Sequence, residues 1–289
     1  MMTKPKFFRR ILAAIGTMNR VMVLATMSLL SCQAMAQSVA ITFDDGLDPR
    51  IEPRAAQWNA HLLDTLAKHH VRSMLFPAGV VVDSPAGLAL VRAWGAAGHS
   101  IGNHTYTHQG FVDSATPEAF MQDVLREQKL VGALPGWCPR LRLPYLNEGN
   151  TPERRGRLYA LLAQHGYGVA PVTIGIDDWN YSARFIEAAN KNPSLNVDQF
   201  RKPYLDRMWQ EVQKQQAFWQ QQLGRSPVHV LLLHTNGLNA VVLPDILAMF
   251  ESHGWTFVDP AVAFTDPIYQ RPYTAADGTQ HPLPIPACR

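Results

Sequence analysis

Long hydrophobic runs are missing from this sequence. The apolar stretch at residues 21–30 is too short to cross a bilayer, which takes about 20 apolar residues. Internal repeats, low-complexity tracts and a clear linker are also missing. Nothing therefore marks an internal boundary, and 289 residues suit one large α/β domain or two small ones. Cysteine is scarce, three residues in all, too few for a cysteine-built scaffold. Charged residues make up only 17%, whereas hydrophobic residues reach 47%, ample for a core and too many for a disordered chain.

The small basic excess belongs to one end. Residues 1–36 carry Lys4, Lys6, Arg9, Arg10 and Arg20 and no acid. The apolar run follows, and then Ala34-Met35-Ala36. A basic region, a short apolar core and an A-x-A site predict a secretory signal peptide cleaved after Ala36, with Met18 an alternative start. A rival site exists: Leu29-Leu30-Ser31-Cys32 resembles a bacterial lipobox, which would leave a lipid anchor on Cys32. Without the leader, 21 Lys and Arg face 23 Asp and Glu, a balance near −2 with neutral His. The sequence pI of 8.8 thus reflects the leader and gives no support for nucleic-acid binding. The expected location is periplasmic or secreted, with an outer-membrane lipoprotein as the alternative. No transmembrane span is expected in the mature protein.

Two cysteines, Cys138 and Cys288, stay with the mature chain. In an oxidising compartment such a pair is a disulfide candidate, against the alternative of two free thiols.

Along the rest of the chain, strand-like runs alternate with helical stretches. Strands are expected at residues 39–43, 73–76, 100–103, 141–143, 169–174, 228–233 and 255–258. Helices are expected at 55–69, 87–97, 117–131, 153–165, 198–223 and 243–252. Residues 181–196 read as an inserted loop and 267–286 as a proline-rich surface tail. In the helix at 198–223, Leu205, Met208, Trp209, Val212, Trp219 and Leu223 form an apolar stripe. Alternating β and α elements predict a parallel sheet, with active residues at the C-terminal ends of its strands.

Chemistry concentrates first at Thr42-Phe43-Asp44-Asp45-Gly46, directly after the first strand. Two adjacent carboxylates raise each other's pKa unless a cation or donor intervenes. Metal catalysis uses such a pair: one carboxylate binds the ion and the other serves as general base. Further ligands appear in His104-Thr105-Tyr106-Thr107-His108, where two imidazoles four residues apart can grip one ion. One Asp and two His leave positions open for water and substrate. Taken alone, D-D-G is more simply a turn, and paired histidines are often surface decoration.

Three further segments follow in order: Arg142-Leu143-Pro144-Tyr145, Asp178-Trp179 and Leu231-Leu232-Leu233-His234. With these five segments, residues 38–265 resemble the polysaccharide deacetylase family with the NodB homology domain, also called carbohydrate esterase family 4. The resemblance implies a distorted (β/α) barrel of about seven parallel strands, spanning 37–265 with a tail at 266–289. It implies a metal held by Asp45, His104 and His108, with zinc first and Co²⁺, Ni²⁺ or Mn²⁺ also suited to the ligands. Asp44 would be the base, Arg142 its tether, and His234 the acid that protonates the departing amine. Pro144 and Tyr145 would shape the groove, the Tyr145 backbone helping to hold the oxyanion, and Trp179 would form an apolar wall. The implied substrate is an N-acetylated glycan. The alternatives are an O-acetyl, xylan-type esterase and a silent glycan-binding barrel.

The fourth segment departs from the family pattern DxxDW. Gly175 stands where the first Asp belongs, the residue that orients the acid histidine. If the strand from Val169 continues that far, Asp177 faces the side of residue 175 and Asp178 the opposite one. Asp177 is therefore the expected partner of His234.

Overall fold

In the computed structural model the described residues are 37–192, 194–274 and 278–289. The expected leader, its cleavage after Ala36 and the Cys32 anchor lie outside them. The main sheet is built from β1 (Ser38–Asp45), β2 (Ser73–Pro77), β3 (Ser100–Asn103), β4 (Trp137–Leu141), β5 (Gly168–Val169), β6 (Ile174–Gly175), β7 (His229–His234) and β8 (Thr256–Phe257). Seven strands run in the order β5-β4-β3-β2-β1-β7-β6, and β8 pairs with the start of β1. Every ladder of this sheet is parallel. The helices are α1 (Ala55–Lys68), α2 (Gly79–Val82), α3 (Pro85–Ala96), α4 (Pro117–Val131), α5 (Pro152–Gln164), α6 (Asp178–Lys191), α7 (Asp198–Leu223), α8 (Gly237–Ser252) and α9 (Pro260–Ala263). This is the expected distorted (β/α) barrel.

Alternation along each strand builds two cores. On β1, Val39, Ile41 and Phe43 join the large core between sheet and helices. Ala40 shares the barrel interior with Met74, Phe76 and Val230, and Thr42 and Asp44 follow it at period two, both buried. With both faces covered, these strands carry near-continuous apolar runs. The helices start where their caps predict. Ser84, Thr116 and Thr151 each accept a backbone N–H at the head of α3, α4 and α5, with proline in the first turn.

Two expectations change. The single strand at 169–174 is two short strands on opposite edges of the sheet, and no ladder joins β5 to β6 among the described residues. Pro171 has no N–H to continue a ladder, so the chain leaves the sheet there and the barrel stays open on that side. The expected loop at 181–196 is mostly helix α6. Its Tyr181, Phe185 and Ala189 recur at helical spacing and pack on the core, a pattern diluted in sequence by Asn, Ser and Asp.

The C-terminal segment folds back on the barrel. A hairpin of β9 (Pro272–Thr274) and β10 (Gln280–Pro282) precedes Cys288, which is disulfide-bonded to Cys138 on β4. Phe264 and Tyr269 join Cys138 in the inner core. No described helix is long and apolar enough to cross a membrane. Because the bridge closes a separation of 150 residues, the Cys138→Ser, Cys288→Ser protein should lose about 2–4 kcal/mol in denaturant unfolding. Alkylation of both thiols in a non-reduced digest of the wild type would show instead that the bridge does not form.

Candidate active site

The C-terminal ends of β1, β3, β4 and β7 open onto one cleft of about 660 Å³. Its lining includes Asp44, Asp45, His104, His108, Tyr145, Trp179 and His234. Strand register does much of this. Parallel pairing sets Asp44 opposite His234 and Asp45 opposite Pro77. Residues 190 positions apart thus become neighbours.

Beyond each strand end the chain turns sharply. Six described non-glycine residues adopt left-handed φ: Asp45, His70, Thr105, His108, Tyr145 and Leu146. All but His70 belong to the site loops, where such strain concentrates. Gly46, at φ 87°, continues the turn after Asp45, and its N–H reaches back to the Asp44 carbonyl at 3.1 Å. In the histidine loop, Asn103 Oδ1 accepts from the Thr105 N–H, and Thr105 Oγ1 from the His108 N–H. Asp123 of α4 accepts from both the N–H and the hydroxyl of Thr107. These local bonds hold the two imidazoles in place.

Asp45 Oδ1 lies 3.3 Å from His108 Nε2 and 3.6 Å from His104 Nε2. It is buried and has no hydrogen-bond partner. One ligand atom from each of Asp45, His104 and His108 lies within 4.8 Å of the others. His104 Nδ1 donates to the Arg142 carbonyl at 2.7 Å, so its Nε2 carries the lone pair toward Asp45. The Tyr145 hydroxyl is 3.5 Å from His108 Nδ1 and its ring packs on that imidazole. Burial alone would raise the Asp45 pKa, but His108, His234 and His104 more than offset it, to about 2. Burial keeps His104 below its usual value and neutral. An ionised carboxylate, two imidazole lone pairs and an orphaned oxygen fit a divalent cation.

Behind this cluster, Asp44 meets Arg142 in the barrel interior. Arg142 Nη1 donates to both Asp44 oxygens at 3.3 and 3.4 Å, Nη2 to Thr42 Oγ1 at 3.0 Å and Nε to the Ala170 carbonyl at 2.7 Å. Burial lowers the Arg142 pKa, and Asp44 opposes that shift. Asp44 Oδ2 is 3.7 Å from His104 Nε2, on the edge of the cluster.

His234 is partnered by Asp178, not Asp177. Its Nδ1 lies 2.6 Å from Asp178 Oδ1, and its backbone N–H donates to Asp178 Oδ2 at 2.8 Å. Asn236 and Asn239 donate to the same Oδ2, leaving Asp178 fully buried and saturated. The Asp177 carboxylate, at the N-terminus of α6, accepts a long bond from the Asn180 side chain at 3.4 Å and does not reach His234. The alternation argument fails because no strand reaches these positions: β6 ends at Gly175, and Asp178 already begins a helix. Burial disfavours the His234 imidazolium, but Asp178, then Asp45 and Asp44, push its pKa up to about 9.

Pro144 is buried at the start of the turn that presents Tyr145, whose side chain is 72% exposed. Val80, Leu146 and Trp179 are likewise exposed apolar residues lining the cleft or its neighbour, a clustering typical of ligand sites. The structure also brings in Glu211, Gln215 and Trp219 from α7. The apolar stripe of α7 predicts Trp219 as a packing residue, but helical periodicity does not distinguish a core from a cleft. His99, outside every motif, is buried; its Nδ1 accepts from the Ser73 N–H, and burial lowers its pKa to about 4.

Fold and cluster together define a parallel (β/α) barrel with a candidate Asp-His-His metal centre at its strand ends. Residues 33–168 match the family model described as polysaccharide deacetylase. It is 30% identical over 159 residues to a peptidoglycan-N-acetylglucosamine deacetylase of Bacillus cereus, covering 54% of this chain and 53% of that one. It is 32% identical over 110 residues to a chitooligosaccharide deacetylase of Bradyrhizobium, covering 38% and 46%. The chain thus spans about half the length of these relatives, and 27% of a Listeria monocytogenes peptidoglycan deacetylase. The fold resembles the crystal structure of a polysaccharide deacetylase from Bacillus cereus, with TM-score 0.55, 24% identity and coverage of 77% and 91%.

Calorimetric titration with Zn²⁺ should show one high-affinity ion per chain. The His108→Ala protein should bind it more weakly by over ~100-fold, more than loss of a supporting hydrogen bond costs such sites. Unchanged affinity would remove His108 from the ligand set.

Proposed function

We propose that this protein is an exported, metal-dependent hydrolase that removes acetyl groups from N-acetylated amino sugars in a polysaccharide or oligosaccharide. One observation carries the reading. A tethered carboxylate, an Asp-His-His cluster and a carboxylate-backed histidine face the same cleft. The names of the bacterial relatives, peptidoglycan-N-acetylglucosamine and chitooligosaccharide deacetylases, support the substrate class. The predicted leader and the Cys138–Cys288 bridge support export to an oxidising compartment.

Asp45, His104 and His108 are the proposed ligands of a divalent ion, with zinc the first choice for one carboxylate and two imidazoles. Such an ion supplies a Lewis acid for the acetyl carbonyl and a lowered pKa for water. Asp44 then accepts the proton of the attacking water, held ionised and aimed by Arg142. The Tyr145 backbone N–H donates to the oxyanion. His234, protonated at neutral pH through Asp178, delivers its proton to the leaving nitrogen. The acetyl C–N bond breaks, giving acetate and a free amine. Trp179 and Tyr145 bound the space for the sugar and the acetyl methyl.

An acetyl xylan esterase from Clostridium thermocellum has a similar fold at 22% identity and TM-score 0.50. The His234–Asp178 pair favours the amide: an amine leaving group needs a proton in transit, and a sugar alkoxide needs one less. Acetate release across N- and O-acetylated glycans tests this, and turnover confined to O-acetyl substrates would sink the amidase reading.

Asp44→Asn should retain the ion while kcat falls ~10²–10⁴-fold, because an amide cannot take the proton. Loss of the ion from that variant would reverse the roles of Asp44 and Asp45. Asp178→Asn removes the interactions that raise the His234 pKa, so the basic limb of the pH–rate profile should move to lower pH. Asp177→Asn should leave that limb in place, and the opposite pattern would restore Asp177 as the partner.

A further inference from the structure

Helix α7 runs for 26 residues, but its buried positions, Tyr204, Met208, Glu211 and Val212, all lie in its first 15. In the last turns Phe218 and Leu223 are nearly half exposed. Yet Glu211, Gln215 and Trp219, spaced four apart on one face, line the cleft that holds Asp44, Asp45 and His234. The Trp219 ring lines the cleft, while its Nε1 is covered by protein and has no acceptor. Beside it, Gln215 Nε2 donates to Glu211 Oε1 at 2.7 Å, which turns the Gln215 carbonyl oxygen toward other partners. Lys214 and Arg207 occupy the Glu211 carboxylate further, so Glu211 positions Gln215 and is not itself free to take a cation.

A second lobe of about 520 Å³ lies beyond the cluster, lined by Val80, Thr107, Gln109 and Asp113. The two lobes share Asp45, His108 and Tyr145, so the reacting centre sits between two arms. Such a passage suits a chain of sugars rather than a single one.

We propose that α7 forms a sugar-binding wall. Trp219 stacks on the pyranose adjoining the acetylated unit, and the Gln215 carbonyl oxygen accepts from a ring hydroxyl. The wall favours an oligosaccharide of at least two units over a single sugar. Indole faces bury apolar sugar faces well. The inference rests on the deacetylase reading for which sugar reacts, and not for the presence of the wall.

The test compares wild type, Trp219→Ala, Trp219→Phe and Gln215→Ala on N-acetylglucosamine and its β-1,4 trimer, by acetate release. In parallel, trimer binding to the Asp44→Asn protein, with and without Trp219→Ala, is followed by calorimetry. Trp219→Ala should raise KM for the trimer about 3–10-fold, the scale of one stacking contact, with kcat little changed. Trp219→Phe, which keeps a ring in place, should fall between, and monomer kinetics should stay within about twofold. Unchanged trimer KM and binding in Trp219→Ala would overturn the wall. An equal loss on the monomer would also overturn it, placing Trp219 against the reacting sugar. If wild type releases no acetate from any glycan, the deacetylase reading fails, and the calorimetric difference alone upholds or removes the wall.

Discussion

A guanidinium with no exposed surface lies at the centre of the barrel, and the arrangement of the site follows from it. Arg142 reaches Asp44 and Thr42 on β1, the Ala170 carbonyl in the gap after β5, and the face of Phe76 on β2. Its own N–H bonds the Asn103 carbonyl at the end of β3, and its carbonyl accepts from His104. A cation taken from water is tolerated only beside a carboxylate and a full set of acceptors. The guanidinium therefore fixes Asp44 in direction and ties β1 to the Ala170 carbonyl, while the backbone carbonyl of the same residue sets the tautomer of His104. Removing the arginine would strand a buried carboxylate, a change that typically costs ~3–5 kcal/mol.

Convergence of the site carries a conformational cost. Five residues at Asp45, Thr105, His108, Tyr145 and Leu146 hold left-handed backbone at roughly 1–3 kcal/mol each. The surrounding side chains offset it. Asn103, buried behind the histidine loop, donates to the Val124 carbonyl and lies by the Tyr167 hydroxyl, while its own oxygen caps Thr105. Around Asp178, two asparagines and a backbone N–H satisfy one oxygen, so the other is committed to His234. The Asp-His-His cluster and His234 are thus each backed by a hydrogen-bonded polar network, the condition under which buried polar groups add rigidity rather than strain.

The segment between β6 and β7 gives the cleft its own character. Helix α6 delivers Asp178 and Trp179 at its first turn, and α7 then returns along the site with Gln215 and Trp219. The family profile ends at residue 168, before both helices. The Asp-His-His cluster and the proposed wall are therefore built from different stretches of chain.

The sequence alone determined the parallel (β/α) pattern, helix α4 at residues 117–131 and α7 at 198–223, and the Asp-His-His trio, because each carries a local signature: period, cap or ligand spacing. Local signals also placed each motif at a strand end. They did not reach the partner of His234, since Pro171 and the onset of α6 broke the strand on which the choice of Asp177 depended. Nor did they show Trp219 facing a cleft, because an amphipathic stripe looks the same over a core or a cavity. Only the tertiary structure decided which residues far apart in sequence meet, Asp44 with Arg142 and His234 with Asp178. Such pairings are fixed by strand register and barrel closure, which are properties of the whole chain and not of any window within it.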